Sequence, residues 1–165
     1  MEHSIGMADR FTTRIAVFVI VRNDKGEILL QRRAAGAKYL EGYWDFPSGH
    51  GEHGESLRDS AIRELKEEVG LDGKPEDLRL VHIEQYFVEV NYINFIFALD
   101  QWSGTPKVCE PDKCSAIAWF APEALPEQCV NAVRAAETAA FSDDLTYSIT
   151  DKESYAKLVS LPEPS

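Results

Sequence analysis

Glu64, Glu67 and Glu68 stand at i, i+3 and i+4, a spacing that brings three carboxylates onto one face of a helix. Like charges held that close repel by roughly a few tenths of a kcal/mol per pair. Such a face is therefore either fully solvated or arranged about a cation. The loop leading to it is punctuated by Gly49, Gly51 and Gly54, and Gly70 follows it. The stretch from Gly49 to Leu71 thus contains a turn-rich entry, a helix and a stop.

The helix must turn its acidic face away from its packing face. Ser56 is a plausible N-cap, with Asp59 completing a capping-box-like start. Leu57, Ala61, Ile62, Leu65 and Val69 form the apolar stripe, and Gly70 suits the left-handed C′ position. Around this helix the chain alternates strand-like and helical segments. Arg14 to Val21 is a continuous β-branched and aromatic run, the pattern of a strand buried on both faces. Asn23 to Gly26 carries turn chemistry, and Glu27 to Arg33 is expected to pair back as a second strand. Trp44 to Pro47 is short and extended. Val81 to Val88 and Asn91 to Leu99 read as an antiparallel hairpin, and Ala116 to Phe120 as another strand. Pro126 to Phe141 reads as an amphipathic helix with Cys129, Val130, Val133 and Ala136 or Ala140 inward. The pattern predicts an α/β fold with a mixed sheet and helices on its faces, as one domain over residues 12–141. Residues 1–11 read as flexible, and 142–165 as a C-terminal extension of weak signal.

Composition excludes several functions. The chain has 165 residues and a formal charge of −11, which disfavours nucleic-acid and anionic-membrane surfaces. The longest apolar run, Ile15 to Val21, is far below the roughly 20 residues that span a bilayer. Cys109, Cys114 and Cys129 are odd in number and lack a CxxC pair, suggesting free thiols in a reducing compartment, so a cytoplasmic protein is expected. Zinc ligation by Cys109 and Cys114 is the alternative, with no histidine near in sequence.

Written as a pattern, the opening stretch is G-x5-E-x7-R-E-U-x-E-E-x-G-U, with U aliphatic. Gly49, Glu55, Arg63, Glu64, Leu65, Glu67, Glu68, Gly70 and Leu71 fill all nine defined positions. At average residue usage that coincidence arises roughly once in 10⁹ windows. The stretch resembles the signature of the Nudix hydrolases. Leu29 to Arg33 with Trp44 to Gly49 resembles the family's lead-in, and Ala116 to Pro126 resembles its later strand and turn. Ser48 departs from the pattern, since many members carry glycine there.

The resemblance implies a Nudix-type α/β/α sandwich. It also implies hydrolysis of a diphosphate linked to another group, by water attack at phosphorus. Phosphoryl transfer needs positioning and charge neutralisation more than covalent help. Mg²⁺, or Mn²⁺ in its place, suits carboxylate and carbonyl oxygens. By resemblance, Glu64, Glu67, Glu68 and the Gly49 carbonyl hold the metal, while Arg63 pairs with Glu55 to steer helix against loop. Glu67 is the favoured general base, and Glu110, with Asp112 behind it, is the rival from the outer loop.

Arg32 and Arg33 end a strand near the expected site and are candidates for contact with phosphate or base. Trp44, Phe46, Tyr39 and Trp119 could stack on a nucleobase, core packing being the default for Trp44 and Phe46. Gln128 and Asn131 lie where a base edge could be reached. His50 and His53 sit in the glycine loop, and His82 is expected to be structural. The expected partner is a small nucleotide or diphosphate, with no nucleic acid and no membrane; a homodimer is allowed. A (deoxy)nucleoside triphosphate cleaved to monophosphate and pyrophosphate is the leading expectation. A dinucleoside polyphosphate, ADP-ribose or non-nucleotide diphosphate is the alternative substrate. A non-catalytic nucleotide-binding module is the alternative from another class.

Overall fold

Strand β1 (Arg14–Val21) settles the layer order, because its alternate residues enter two different cores. Val17, Val19 and Val21 pack into one apolar cluster and Ile20 into another, all at 1% exposure or less. In the computed structural model, which describes residues 11–137 and 139–160, both long edges of β1 are paired. The remaining strands are β2 (Ile28–Arg33), β3 (Trp44–Asp45), β4 (Ser48–His50), β5 (Asp72–Gly73), β6 (Arg79–Phe87), β7 (Asn91–Leu99), β8 (Trp102–Ser103), β9 (Cys114–Phe120) and β10 (Thr146–Thr150). A five-stranded mixed sheet runs β10-β6-β7-β1-β4, with β1–β7 and β10–β6 parallel. A three-stranded antiparallel sheet runs β3-β2-β9, and β5 pairs with β8.

Helix α1 (Leu57–Val69) covers one face of the larger sheet. Ser56 caps it by accepting from the Asp59 N–H, and Gly70 ends it at φ 74° with its own N–H returned to the Lys66 carbonyl. Ala61, Leu65 and Val69 are fully buried against Val17, Val19 and Leu99. The opposite face is covered by α2 (Asn131–Ala136) and α3 (Lys152–Val159) through Val133, Ala136 and Leu158. The α/β/α sandwich with a mixed sheet is therefore observed.

Two local expectations are corrected, and a segment of weak signal takes defined structure. The turn at Asn23–Gly26 forms, with the Asn23 side chain accepting from the Lys25 and Glu27 N–H groups. Beyond the single bridge Arg22↔Ile28, however, β1 and β2 part into different sheets. β7 and β4 already occupy both edges of β1, so β2 takes β9 and β3 instead. The helix expected over 126–141 is shortened to Asn131–Ala136, followed by a 3-10 turn at Ala139–Phe141. The Trp44 N–H donates to the Gln128 carbonyl and the Val130 N–H to the Trp44 carbonyl, which commits the chain before Asn131 to extended geometry. The extension after residue 141 is also structured. β10 joins the sheet beside β6, and His82 is buried between the Thr146 and Ser148 hydroxyls at 2.7 and 2.8 Å. The expectations for residues 1–10, and for the end of the chain beyond 160, lie outside the described residues.

Leu65 locks α1 to the sheet. Leu65→Ala should cost about 2–5 kcal/mol in a urea unfolding titration, the range for a buried leucine that leaves a cavity. A loss below about 1 kcal/mol would mean that α1 is anchored elsewhere.

Candidate active site

Strand β4 lies antiparallel to β1, with Gly49 opposite Val17, and so brings the glycine loop beside α1. The approach is close: a Cβ on Gly49 would lie 1.9 Å from Glu64 Cδ. Only glycine leaves room for that carboxylate to cross the strand.

Arg63 organises the acidic face. It meets Glu55 with two contacts, Nε to Oε1 at 2.8 Å and Nη2 to Oε2 at 3.0 Å. Its Nη1 also reaches Glu64 at 2.8 Å and Glu67 at 3.4 Å, and Nη2 donates to the His50 carbonyl. Ser60 and the Glu52 N–H donate to Glu55 as well. The Arg63 guanidinium, with Ser60 assisting, holds the Glu55 carboxyl down at about 2. The expected pairing of Arg63 with Glu55 is present in the structure.

Glu68 lies on the inward side of the same helix face. Its Oε2 accepts from the Gln31 amide at 2.7 Å and the Ser48 N–H at 2.9 Å. Burial, ahead of repulsion from Glu64 and against those two hydrogen bonds, pushes its carboxyl up to about 8. Glu67 is the most exposed of the three, with half of its side chain accessible. The loop after β8 is laid across the end of α1 by the Cys109 N–H donating to the Glu68 carbonyl. That places Glu110 and Asp112 on a cavity of about 430 Å³ that Glu68, Gln31, Arg33 and Lys38 also line. Lys113 pairs with Glu110 at 2.8 Å.

Among the described residues, no three acidic, histidine or cysteine side chains already converge as a metal cluster. Glu64 leans to Arg63, and Glu68 to Ser48 and Gln31. The donor set nevertheless fits a hard divalent ion, being carboxylate oxygen with a main-chain carbonyl at hand. The space vacated at Gly49 for Glu64 fits it too, and a cation would reverse the burial cost at Glu68. All three cysteines are free thiols.

The remaining candidates divide. Arg33 is in the site: it lines this cavity and the next, lies over the Tyr39 ring and faces Asp45 at 3.7 Å. Arg32 turns away, its Nε donating to the Gly42 carbonyl. Phe46 is fully buried in the core, where no ligand reaches it. Trp44 packs edge-to-face on Phe120 at 4.9 Å and lines neither cavity. Gln128 meets Trp44 through its carbonyl and is also outside both linings. Asn131 begins α2, and its side chain lies outside the described residues. His50 contacts the Tyr92 hydroxyl at 3.2 Å on the second cavity.

That second cavity, about 520 Å³, shares Arg33, Lys38 and Ser48 with the first. Sequence reasoning missed its buried acids, Asp45 and Glu84, together with Asn94. A signal existed: Asn94 keeps the inward phase of Ile96 and Ala98, and Glu84 lies directly opposite it in the hairpin.

A family model described as "NUDIX domain" matches residues 12–141. The "8-oxo-dGTP diphosphatase" of Escherichia coli K12 is 36% identical over 88 residues, covering 53% of this chain and 66% of that protein. The "Uncharacterized Nudix hydrolase YfcD" of the same organism is 30% identical over 115 residues, 69% of this chain and 62% of its own length. The chain thus spans just under two thirds of these curated relatives. The crystal structure of a MutT NUDIX hydrolase from Burkholderia pseudomallei superposes with a TM-score of 0.71 at 26% identity, covering 78% of this chain and 98% of that one. The sandwich is that of a Nudix domain. This chain belongs to the Nudix family, whose members generally use divalent metal ions.

Two outcomes test this geometry. Gly49→Ala should displace the Glu64 carboxylate and weaken Mn²⁺ binding by about 10–100-fold in a calorimetric titration, the scale for disturbing a group that orients a ligand. Unchanged affinity would detach Gly49 and Glu64 from the metal. Asp45, pushed up to about 7 by burial against the pull of Arg33, keeps its proton folded over a range where the unfolded chain has lost it. Its contribution to stability therefore falls as pH rises from about 4 through about 7. Asp45→Asn should melt higher than the parent at pH 8, by about 2–4 °C or more, with the gap closing by pH 4. A gap independent of pH would remove Asp45 as its cause.

Proposed function

We propose that the chain hydrolyses a (deoxy)nucleoside triphosphate to the monophosphate and pyrophosphate, with Mg²⁺ or Mn²⁺ as cofactor. One observation carries this reading: Glu68 of the acidic helix face lines the same cavity as Arg33 and Lys38, and that cavity continues into an aromatic-walled one. Arg33 and Lys38 supply positive charge for phosphates, and the second cavity supplies room for a nucleoside. The net charge of −11 supports a small anionic substrate taken locally over a polyanion bound across a surface. The similarity to an 8-oxo-dGTP diphosphatase supports a nucleotide as well.

Glu64, Glu67, Glu68 and the Gly49 carbonyl are assigned to the metal. When bound, it would neutralise phosphate charge and make water more acidic. Arg63, fixed by Glu55, holds the Glu64 carboxylate closely and the more exposed Glu67 only at longer range. Glu67 is assigned as proton acceptor, since its exposed carboxylate is held only weakly by Arg63; Glu110, across the cavity from Glu68, is the rival. Gln31 and Ser48 fix the orientation of Glu68. No helix among the described residues is long and apolar enough to cross a membrane.

Incubation with Mg²⁺ and a panel of nucleotides and diphosphates, with products separated chromatographically, should show pyrophosphate released from a nucleoside triphosphate. Chelation should abolish the activity, and Glu67→Gln should lower kcat by about 10²-fold or more without loss of fold. Full activity in Glu67→Gln would exclude the acidic face as the reacting site.

A further inference from the structure

Helix α1 covers only part of its side of the five-stranded sheet. It packs over β4, β1 and the Phe97–Leu99 end of β7, and leaves open a strip formed by β10, the second half of β6 and the first half of β7. Register arranges this strip in rows. Ile15 of β1 lies opposite Ile93 of β7, Ile93 opposite Gln85 of β6, and Gln85 opposite Ile149 of β10. The next row runs Val17, Phe95, Ile83 and Tyr147, and Phe87 continues the phase of Ile83 and Gln85 along β6. Val17 and Phe95 reach the cluster beneath α1, whereas Ile15, Ile93, Ile83, Tyr147 and Ile149 belong to neither core. Tyr147 is 59% exposed, Ile149 50%, Ile15 43% and Phe87 37%. The alternate phase, with Ala16, Asn94 and Glu84, faces the second cavity, so strip and cavity lie on opposite sides of the sheet.

Neither row holds a charged residue, and nor does Phe87, in a chain whose formal charge is −11. The polar groups of the strip satisfy each other, the Tyr147 hydroxyl donating to Gln85 Oε1 at 2.7 Å. On the α1 border, Arg58 is turned to the Pro75 and Leu78 carbonyls and lies over the Phe97 ring. β10 is also the outermost strand, and its sequence TYSIT carries no lysine or proline to blunt that edge. Contiguous apolar surface of this kind marks a docking site. A nucleic acid or an anionic membrane would be met by basic side chains, and these rows have none.

We propose that the occupant is a second copy of this chain, packed sheet on sheet across a two-fold axis. The shape of the face is self-complementary. α1 borders the strip as a step about 10 Å high, which matches the roughly 10 Å between packed sheets. A copy turned about an axis along the strands lays its strip on this one, with its free β10 edge against that step. The same rotation sets this copy's β10 against the other's α1, so both edges are covered together. Glu64 crosses Gly49 on the other flank of α1, so the acidic face stays clear of the contact. Charge favours the same occupant. Two copies of like charge repel, and a contact through uncharged rows leaves their acidic groups at the rim, where salt screens them. At ~4.8 Å between strands and ~3.3 Å per residue, strip and step offer about 500 Å² per copy. The pair then buries about 1,000 Å², the lower bound for a specific interface, and the dimer is weak, with a Kd of about 1–100 µM.

Sedimentation velocity of the full chain over about 5–500 µM should show the 18.5 kDa monomer converting to twice that mass. A monomer at every concentration overturns the proposal and leaves the strip to a partner of different sequence. Ile149→Asp and Ile15→Asp, at the two ends of one row, should each weaken the dimer about 10-fold or more, because a charge is buried without a partner. Both positions are exposed in the single chain, so the fold should survive. Val159→Asp, exposed on α3 across the sheet, should leave association unchanged. A dimer that persists in both strip variants, or that Val159→Asp breaks, puts the contact elsewhere and overturns the assignment. Raising NaCl from about 0.05 M to about 0.5 M should tighten the dimer, since screening relieves the repulsion and no ion pair is lost. Loosening by salt would mean that charges hold the two copies together, and would overturn an apolar interface.

Discussion

Three carboxylates on a single helix face are an unfavourable arrangement that the surrounding structure offsets. Each near pair costs roughly a few tenths of a kcal/mol, and burying one of them costs more. Arg63 relieves the outer pair by reaching Glu64 and Glu67 with one nitrogen, while its remaining nitrogens are held by Glu55 and the His50 carbonyl. Glu68 is relieved separately, by a main-chain N–H and an amide. Neutral donors compensate a buried charge only partly, which is why its carboxyl stays well above the usual carboxylate range. The face is thus held in place but left short of positive charge, a deficit of the kind that a divalent cation would fill.

The layers follow from the need to hold that face still. α1 is fixed to the sheet by Ala61, Leu65 and Val69, and its two ends are set by Ser56 and Gly70. The Gly70 position is also where the outer loop returns: the Lys107 and Cys109 N–H groups donate to the Val69 and Glu68 carbonyls, the last acceptors of the helix. The helix C-terminus therefore positions Glu110 across from Glu68, although the two are far apart in the chain. The same sheet that receives α1 on one side carries Asn94 and Glu84 on the other.

Much of this was legible in the sequence, for reasons that differ by element. The caps of α1 are local chemistry, and the nine-position pattern is a spacing, so both survive without knowledge of tertiary contacts. The burial of β1 on both faces was also readable, since its run of apolar residues has no polar phase. The partner of β2 was not readable. Turn chemistry at Asn23–Gly26 predicts a reversal of the chain, but which edges remain free depends on β4 and β7 having claimed β1 first. The shortened α2 has the same origin, because backbone pairing with Trp44 outcompetes helix before Asn131. β10 was obscured by its edge position: Tyr147 and Ile149 are exposed, so its pattern lacks the clean alternation of a half-buried strand. Of the aromatic candidates, Phe46 serves the core, whereas Tyr39 lines the second cavity together with Tyr86 and Tyr92 from β6 and β7.

The acidic helix face and the second cavity are built from different parts of the chain, and the physics of each explains the division. Holding charge near a metal demands short, fixed spacing, which a single helix and one glycine loop provide. Discriminating a base demands shape and hydrogen-bond polarity around a larger ring, which requires several segments at once. The second cavity is drawn from β1, β6 and β7 for its floor and the loop bearing Lys38 and Tyr39 for a wall, with Thr150 and Tyr155 supporting it from behind. A change in β10 or α3 can therefore reshape the recess through Glu84 and Tyr39 without touching Arg63 or the glutamates of α1. The linings of the two cavities share Arg33, Lys38 and Ser48, and Gly49 of the glycine loop borders the second.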